Sequence, residues 1–316
     1  MADLTSVVAS MAEFLIIVAV GYGVTKAGII DEHTSGRLID LIVNVGTPAM
    51  VVAAVCDLDT SSVVALVPLA ALLAVVQFFA MLGCGWLYVT LARIRGDKRR
   101  NYLFMSCVSN SVFLGLPIVT AIFGGSSVVL VSVFSTVTGL FVYSVGFALV
   151  RGDDEGEASL SRRLAGALRS AVNPPAVASV VAIALVVAQV HPPEVVSGTL
   201  EMLGNITSPV AMLVVGHLAT RMRLSDVFRE WRLYPFIVVR ELVAPVLVYL
   251  VLSRVVASEL LVGVFVVMYA MPVAAMAPSY MEMAGGDYLL TTKGTLLTTL
   301  GSFVVIPVLV WFMTAL

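Results

Sequence analysis

Two stretches of this chain place helix breakers and polar side chains inside long apolar runs. The first is Ser109-Asn110-Ser111-Val112-Phe113-Leu114-Gly115-Leu116-Pro117, within a run from about Tyr102 to Phe123. Gly115 loosens a helix there, and Pro117 removes the N–H that would bond the carbonyl of Phe113. The second is Met271-Pro272-Val273-Ala274-Ala275-Met276-Ala277-Pro278. In hydrocarbon a freed carbonyl needs a partner, so such breaks stand only against protein, water or a bound solute. Half-helix N-termini offer unpaired N–H groups and partial positive charge to an anion, and half-helix C-termini offer carbonyls to a cation. Asn110 with Ser109 and Ser111, and Pro272 with Val273, are therefore the candidate solute-binding residues.

The two stretches are related by one offset. Adding 161 to Pro117, Gly124 and Gly125 gives Pro278, Gly285 and Gly286, and the same shift carries Asn44, Thr47 and Pro48 onto Asn205, Ser208 and Pro209. Two copies of one unit are implied, with Gly115, Pro117, Pro278, Pro48 and Pro209 as helix-break or crossover positions. Pro48 and Pro209 free the carbonyls of Asn44 and Asn205. Each Asn side chain can cap its own kink, bond a neighbouring helix or reach the solute.

The elements that must hold these residues are membrane helices. The chain is 60% hydrophobic and 12% charged, with a net charge of −2. That composition excludes an ordinary soluble domain, and the scattered basic residues show no nucleic-acid stripe. Ten apolar spans fall near 6–27, 38–56, 62–91, 101–123, 127–150, 172–190, 199–219, 233–252, 258–283 and 289–314. The fold class is an all-α polytopic membrane protein embedded in lipid. The organisation is a first repeat over 1–150, a linker over 151–171 and a second repeat over 172–316. Five spans per copy is an odd number, so the second copy enters the membrane from the opposite side and the repeats are inverted.

Charge supports that topology. Loops 1–2, 3–4, 5–6 and 7–8 hold fifteen Lys and Arg residues, whereas the opposite loops hold only Arg254. The positive-inside rule then makes the basic loops cytoplasmic, and both termini extracellular or periplasmic on a cytoplasmic membrane. The N-terminus lacks a basic n-region, so the first span is expected to be a retained helix.

Enzyme signatures are missing. The sequence has no Gly-x4-Gly-Lys-Ser/Thr loop, no Gly-x-Ser-x-Gly elbow and no His-Glu-x-x-His. Its three histidines, His33, His191 and His217, have no second ligand in register for zinc, and Cys56, Cys84 and Cys107 lack metal or redox spacing. No enzyme activity, cofactor or metal is expected. Arg240 and Glu241 sit inside an apolar run, as an ion pair, a snorkelling pair or a functional one. Gln77, Glu282 and Lys293 are weaker candidates for coupling or support. The Thr and Ser rows of the last span read as close helix packing.

These residues resemble the auxin efflux carrier family, which includes bacterial relatives of malonate carriers and the plant PIN-FORMED auxin carriers. Asn44-Val45-Gly46-Thr47-Pro48-Ala49 is similar to its Asn-x-x-x-Pro-Ala signature, and Asn110 to Pro117 is similar to its Asn-Thr-Leu-Val-Met-Gly-Ile-Pro pattern. Lys293-Gly294-Thr295 through Pro307 resembles bacterial members. The resemblance implies ten helices in two inverted five-helix repeats, similar to bile-acid:sodium symporters. Helices 1, 2, 6 and 7 would form a scaffold, and helices 3–5 and 8–10 a moving transport domain in which broken helices 4 and 9 cross. It also implies that Asn110 contacts the substrate carboxylate and that scaffolds pair into a homodimer. This chain departs from the plant pattern by carrying Ser109 before the asparagine. The break in helix 4 is thus expected either at Ser109–Ser111 or at Gly115–Pro117.

The function that follows is secondary active, elevator-type transport of a small organic anion, a mono- or dicarboxylate. Coupling to a proton or sodium stays open, as does uniport. The rivals are a receptor or sensor that signals through the 5–6 loop, and a channel.

Overall fold

The computed structural model describes residues 4–56, 65–146, 149, 174–190, 192–221 and 227–315. The expected linker over 151–171, with Arg151, Arg162, Arg163 and Arg169, lies outside the described residues, as does Arg223. The described chain is helical, and its strand-like pairing is one isolated bridge between Ser109 and Val273.

In chain order the helices are α1 (Leu4–Lys26), α2 (Glu32–Leu41), α3 (Thr47–Cys56), α4 (Val67–Leu91), α5 (Asp97–Cys107), α6 (Leu116–Phe123), α7 (Ser127–Phe141) and α8 (Pro174–Ala188). They continue as α9 (Glu194–Asn205), α10 (Thr207–Thr220), α11 (Leu233–Ile237), α12 (Ala244–Val255), α13 (Glu259–Ala270), α14 (Ala277–Met283) and α15 (Tyr288–Ala315). Among the described residues, six continuous stretches are long and apolar enough to cross a membrane: Val8–Lys26, Glu32–Ala53, Val67–Leu91, Glu194–Thr220, Leu233–Val255 and Tyr288–Ala315. The protein is thus a polytopic membrane protein. The fourth and ninth expected spans are each cut into two shorter helices, α5 with α6 and α13 with α14, the two spans expected to be broken.

The prolines explain several joints. Turns of π type at Ile42–Gly46, Ser111–Gly115 and Val238–Val243 each run directly into a helix whose second residue is Pro48, Pro117 or Pro245. A proline ring displaces the carbonyl four residues back, and the ladder locally lengthens to accommodate it. The bonds agree, with Gly115 N–H donating five residues back to Asn110 O at 3.0 Å. The second span begins at Glu32, earlier than hydropathy suggests, because Asp31 caps it through a 2.7 Å bond from Thr34 N–H. Hydrogen bonds from Thr34 hold the Asp31 carboxyl below the usual carboxylate range.

Packing sorts the helices around the crossing point. α1 lies along α10, while α3 lies between α8 and α9. α4 packs on α5 and α7, α12 on α13, and α14 on α15. The α1–α10 contact is backbone on backbone. A Cβ at Gly21 would lie 2.4 Å from Leu213 O, and one at Gly216 would lie 2.2 Å from Val18 O. Small residues permit such approach in membranes, where apolar burial between helices is a weak drive. Neither backbone can yield, so Gly216→Ala should cost ~1–3 kcal/mol, the usual range for overpacking. Thermal unfolding in detergent would read this as a fall of several degrees, and an unchanged midpoint would rule out the close crossing.

Surface charge ties the ends of the helices together. Arg221 bonds Glu32 at 3.1 Å, and Lys98 pairs with Glu230 at 3.8 Å. Loops 1–2, 3–4 and 7–8 therefore gather at one end of the bundle. Because these pairs are solvated, they report proximity and add little stability.

Candidate functional site

The two broken helices meet at their breaks. α13 stops at Met271, whose φ of −59° and ψ of 141° are non-helical. Pro272 is the cause, since a residue before proline is pushed out of the helical region. α5 stops at Cys107, and the β-branched Val108 is extended at φ −98° and ψ 103°. The two unwound segments then run antiparallel. Asn110 N–H donates to Pro272 O at 2.8 Å, and Ala274 N–H donates to Val108 O at 3.2 Å. Val273 N–H finds the hydroxyl of Thr298 on α15 at 3.1 Å. Each break thus supplies partners for the other, which is how irregular backbone survives at membrane depth.

Of the two expected positions for the break in helix 4, the structure places it at Val108–Asn110. Pro117 lies beyond it in the first turn of α6, and Pro278 lies in the first turn of α14. Gly115 serves close approach, because a Cβ there would sit 3.1 Å from Met268 Sδ and 3.2 Å from Met271 Cγ. Ser109 Oγ is 3.4 Å from Met268 O and 3.5 Å from Met271 O.

Beside the crossover lies a cavity of about 300 Å³, lined by Val108–Phe113 and by Ala274, Met276 and Tyr280 from the second broken helix. α7 contributes Ser132, Ser135, Thr136 and Thr138, and the α2–α3 element contributes Asp40, Val43, Thr47 and Val51. Several of its polar groups are left open. Asn110 Nδ2, Ser132 Oγ, Ser135 Oγ and Thr47 Oγ1 are buried without a hydrogen-bond partner. Asn110 stands at the N-cap position of the segment beginning at Ser111, yet its side chain makes no cap bond. The first N–H groups of that segment have no acceptor within the helix by position alone. Ser111, Val112 and Phe113 line the cavity together with Asn110, at the positive end of the half-helix dipole. Among the described lining residues Asp40 is the only Asp, Glu, Lys or Arg, and it pairs weakly with Arg37 at the exposed rim. The donors that the described lining offers are N–H and O–H groups.

The other candidates scatter. Asn44 is exposed and donates to Asp40 O at 2.7 Å, so its amide caps its own helix just before the π turn. Asn205 is exposed at the end of α9, and neither asparagine lines the cavity. Both were candidates for the solute, and both stand outside the cavity. Gln77 is buried, with Nε2 bonding Phe265 O at 3.2 Å, and supports α13 from α4. Glu282 is exposed and Lys293 half-buried.

Arg240 is wholly inside. Its Nε donates to Met105 O at 3.1 Å and its Nη1 to Met271 O at 2.6 Å, while Nη1 lies 3.5 Å from Glu241 Oε1. It neither snorkels nor faces the cavity; it binds the backs of both breaks.

Sequence reasoning missed the α7 hydroxyls and Thr298. Ser132, Ser135, Thr136 and Thr138 recur at helical spacing in an apolar helix, the same signal read in the last span as packing. Thr298→Val would strand the buried Val273 N–H, an effect of about 1–3 kcal/mol. A thermal midpoint unchanged in that variant would remove Thr298 from the crossover.

A model of the membrane transport protein family matches residues 6–311. A curated protein of Methanothermobacter thermautotrophicus, described as an uncharacterized transporter, is 28% identical over 138 residues, which is 43% of this chain and 44% of its own length. The chain thus aligns with less than half of that relative.

Proposed function

The chain belongs to the membrane transport protein family, the auxin efflux carrier type that its motifs resemble, and on that premise we propose that it is a secondary carrier of a small organic anion. The observation that carries this reading is the open set of donors at the crossover. A buried amide without a partner, two buried serine hydroxyls without partners and an uncapped half-helix N-terminus share one cavity of about 300 Å³. Unsatisfied donors at membrane depth are costly, so a ligand with several acceptor oxygens is the natural occupant. A carboxylate has that pattern. The volume is at the low end for ligand sites and suits a mono- or dicarboxylate.

In mechanism, Asn110 Nδ2 and the N–H groups from Ser111 hold the carboxylate, and Ser132 with Ser135 supply the opposite edge. Val273 and Pro272 keep the second broken helix in register through their backbone. The cavity lies between α2–α3 and the crossover, and this supports an elevator movement of the crossover elements against a static scaffold. The scaffold would comprise α1, α2–α3, α8 and α9–α10, packed as described. Ten crossings in two inverted repeats follow if the pairs α5–α6 and α13–α14 each count as one. The basic ends gathered at one pole support a cytoplasmic placement of those loops, with both termini on the other side of the cytoplasmic membrane. Homodimerisation through the scaffold completes the proposal.

The test is uptake by proteoliposomes from a pool of acetate, malonate, succinate and benzoate, read by mass spectrometry. Selective and saturable uptake is expected. Accumulation that rises linearly with concentration would indicate a channel and displace the carrier.

A further inference from the structure

The carbonyl ends of α5 and α13 converge at the crossover on Arg240, which does not line the donor cavity. Each half-helix ends with unbonded carbonyls and the negative pole of its dipole. Paired ends of this kind form a cation site in carriers built from broken helices. Here a side chain is already in it. The guanidinium of Arg240 spans Met105 O of α5 and Met271 O at the end of α13, and the residue is 2% exposed. Ser109 Oγ reaches the same Met271 carbonyl at 3.5 Å. Glu241, fully buried at 0% exposure, balances the charge at 3.5 Å, and neither of its carboxylate oxygens has a hydrogen-bond partner.

We propose that Arg240 is a tethered replacement for a coupling metal ion: its guanidinium occupies the carbonyl site between the two broken helices, so transport does not depend on sodium or potassium bound there. The argument is one of occupancy and charge. Arg240 takes a carbonyl from each helix, and its fixed positive charge repels a second cation. Glu241 keeps the region neutral overall, which removes the electrostatic reason for an ion to enter. Arg240 is a positioning residue in this account, since it acts on the substrate only through the breaks. The proposal rests on the reading of the crossover as the carrier's centre.

The experiment uses the full chain, purified in detergent and in proteoliposomes, in sodium, potassium or choline chloride at equal ionic strength. The variants are Arg240→Met/Glu241→Gln, which removes both charges together, and Arg240→Lys, which keeps both. Wild type is expected to melt at the same temperature and to take up the carboxylate pool at the same rate in all three salts. The double variant should lose roughly tenfold or more of the uptake, the scale of one charge-assisted hydrogen bond. Low millimolar guanidinium should raise its melting temperature and restore part of its uptake, while leaving wild type unmoved. Arg240→Lys should transport better than the double variant, and it carries the test if the double variant fails to fold.

A wild-type melting temperature or uptake rate that rises saturably with sodium or potassium would overturn the proposal. So would wild-type uptake by the double variant in choline, or an Arg240→Lys variant no better than the double. Wild type that takes up no carboxylate in any salt would instead sink the carrier reading, and the melting series would still decide whether a metal cation binds.

Discussion

Replacing Asn110 with alanine should lower carboxylate uptake by about tenfold to a hundredfold, while leaving the melting temperature unchanged or slightly raised. The separation of the two effects follows from how Asn110 is used. Its backbone holds the crossover, with N–H bonded to Pro272 O and its carbonyl accepting from Gly115 N–H. Alanine keeps both bonds. Its side-chain Nδ2 is buried and bonded to nothing in the protein, so folding loses no partner when it goes. The loss falls on the solute, where a hydrogen bond to a charged group contributes about 1.5–3 kcal/mol. Asn110→Asp is the sharper companion, because it is nearly isosteric and replaces the donor with an acceptor and a negative charge. It should transport an anion worse than Asn110→Ala does. Uptake by the Asp variant equal to or above the Ala variant would mean that the solute is not an anion, even if Asn110 touches it.

Arg240→Met by itself should destabilise the protein by about 3–5 kcal/mol, the range for breaking a buried ion pair from one side. It leaves Glu241 charged or forces it to take a proton, in a place where neither oxygen has a hydrogen bond and where Gly301 and Ile237 press close. It also strips the carbonyls of Met105 and Met271 of a donor. Arg240→Met/Glu241→Gln should recover much of that loss, since uncharged groups of similar volume often replace a buried pair at little net cost. Melting curves for wild type, both single variants and the double form a closed cycle, and a coupling energy near zero would deny the pairing. A stable double variant with poor uptake would place the value of Arg240 in transport and not in folding.

Much of the architecture was readable because a membrane imposes it. Runs of about 20 apolar residues must be helices, since lipid offers no partner for an open backbone. One offset of 161 residues pairs Pro117 with Pro278, and both prolines stand in the first turn of the half-helix that follows a break. Proline chemistry located the ninth-span break at Pro272, because it acts on its immediate neighbour. Asn110 was singled out by its place beside that kind of break. The resemblance of the motifs named the family that the chain belongs to.

What the sequence left open was decided across space. The fourth-span break carries no proline at its own position, and its place at Val108–Asn110 depends on pairing with Pro272 and Ala274, over 160 residues away in sequence. Asn44 and Asn205 share the motif type of a solute ligand, yet they face outward, because the facing direction of a kinked helix is set by what packs on it. Ser132 and Ser135 looked like ordinary helix residues until the cavity placed them opposite Asn110. Arg240 could be read from the sequence as an ion pair, as snorkelling or as a functional site, and its bonds to two carbonyls on two other helices show that it does not snorkel. Local rules act through a residue's neighbours in the chain, and they determined the helices and most of their breaks. Which polar atom meets which partner depends on how the helices cross, and only the assembled fold sets that.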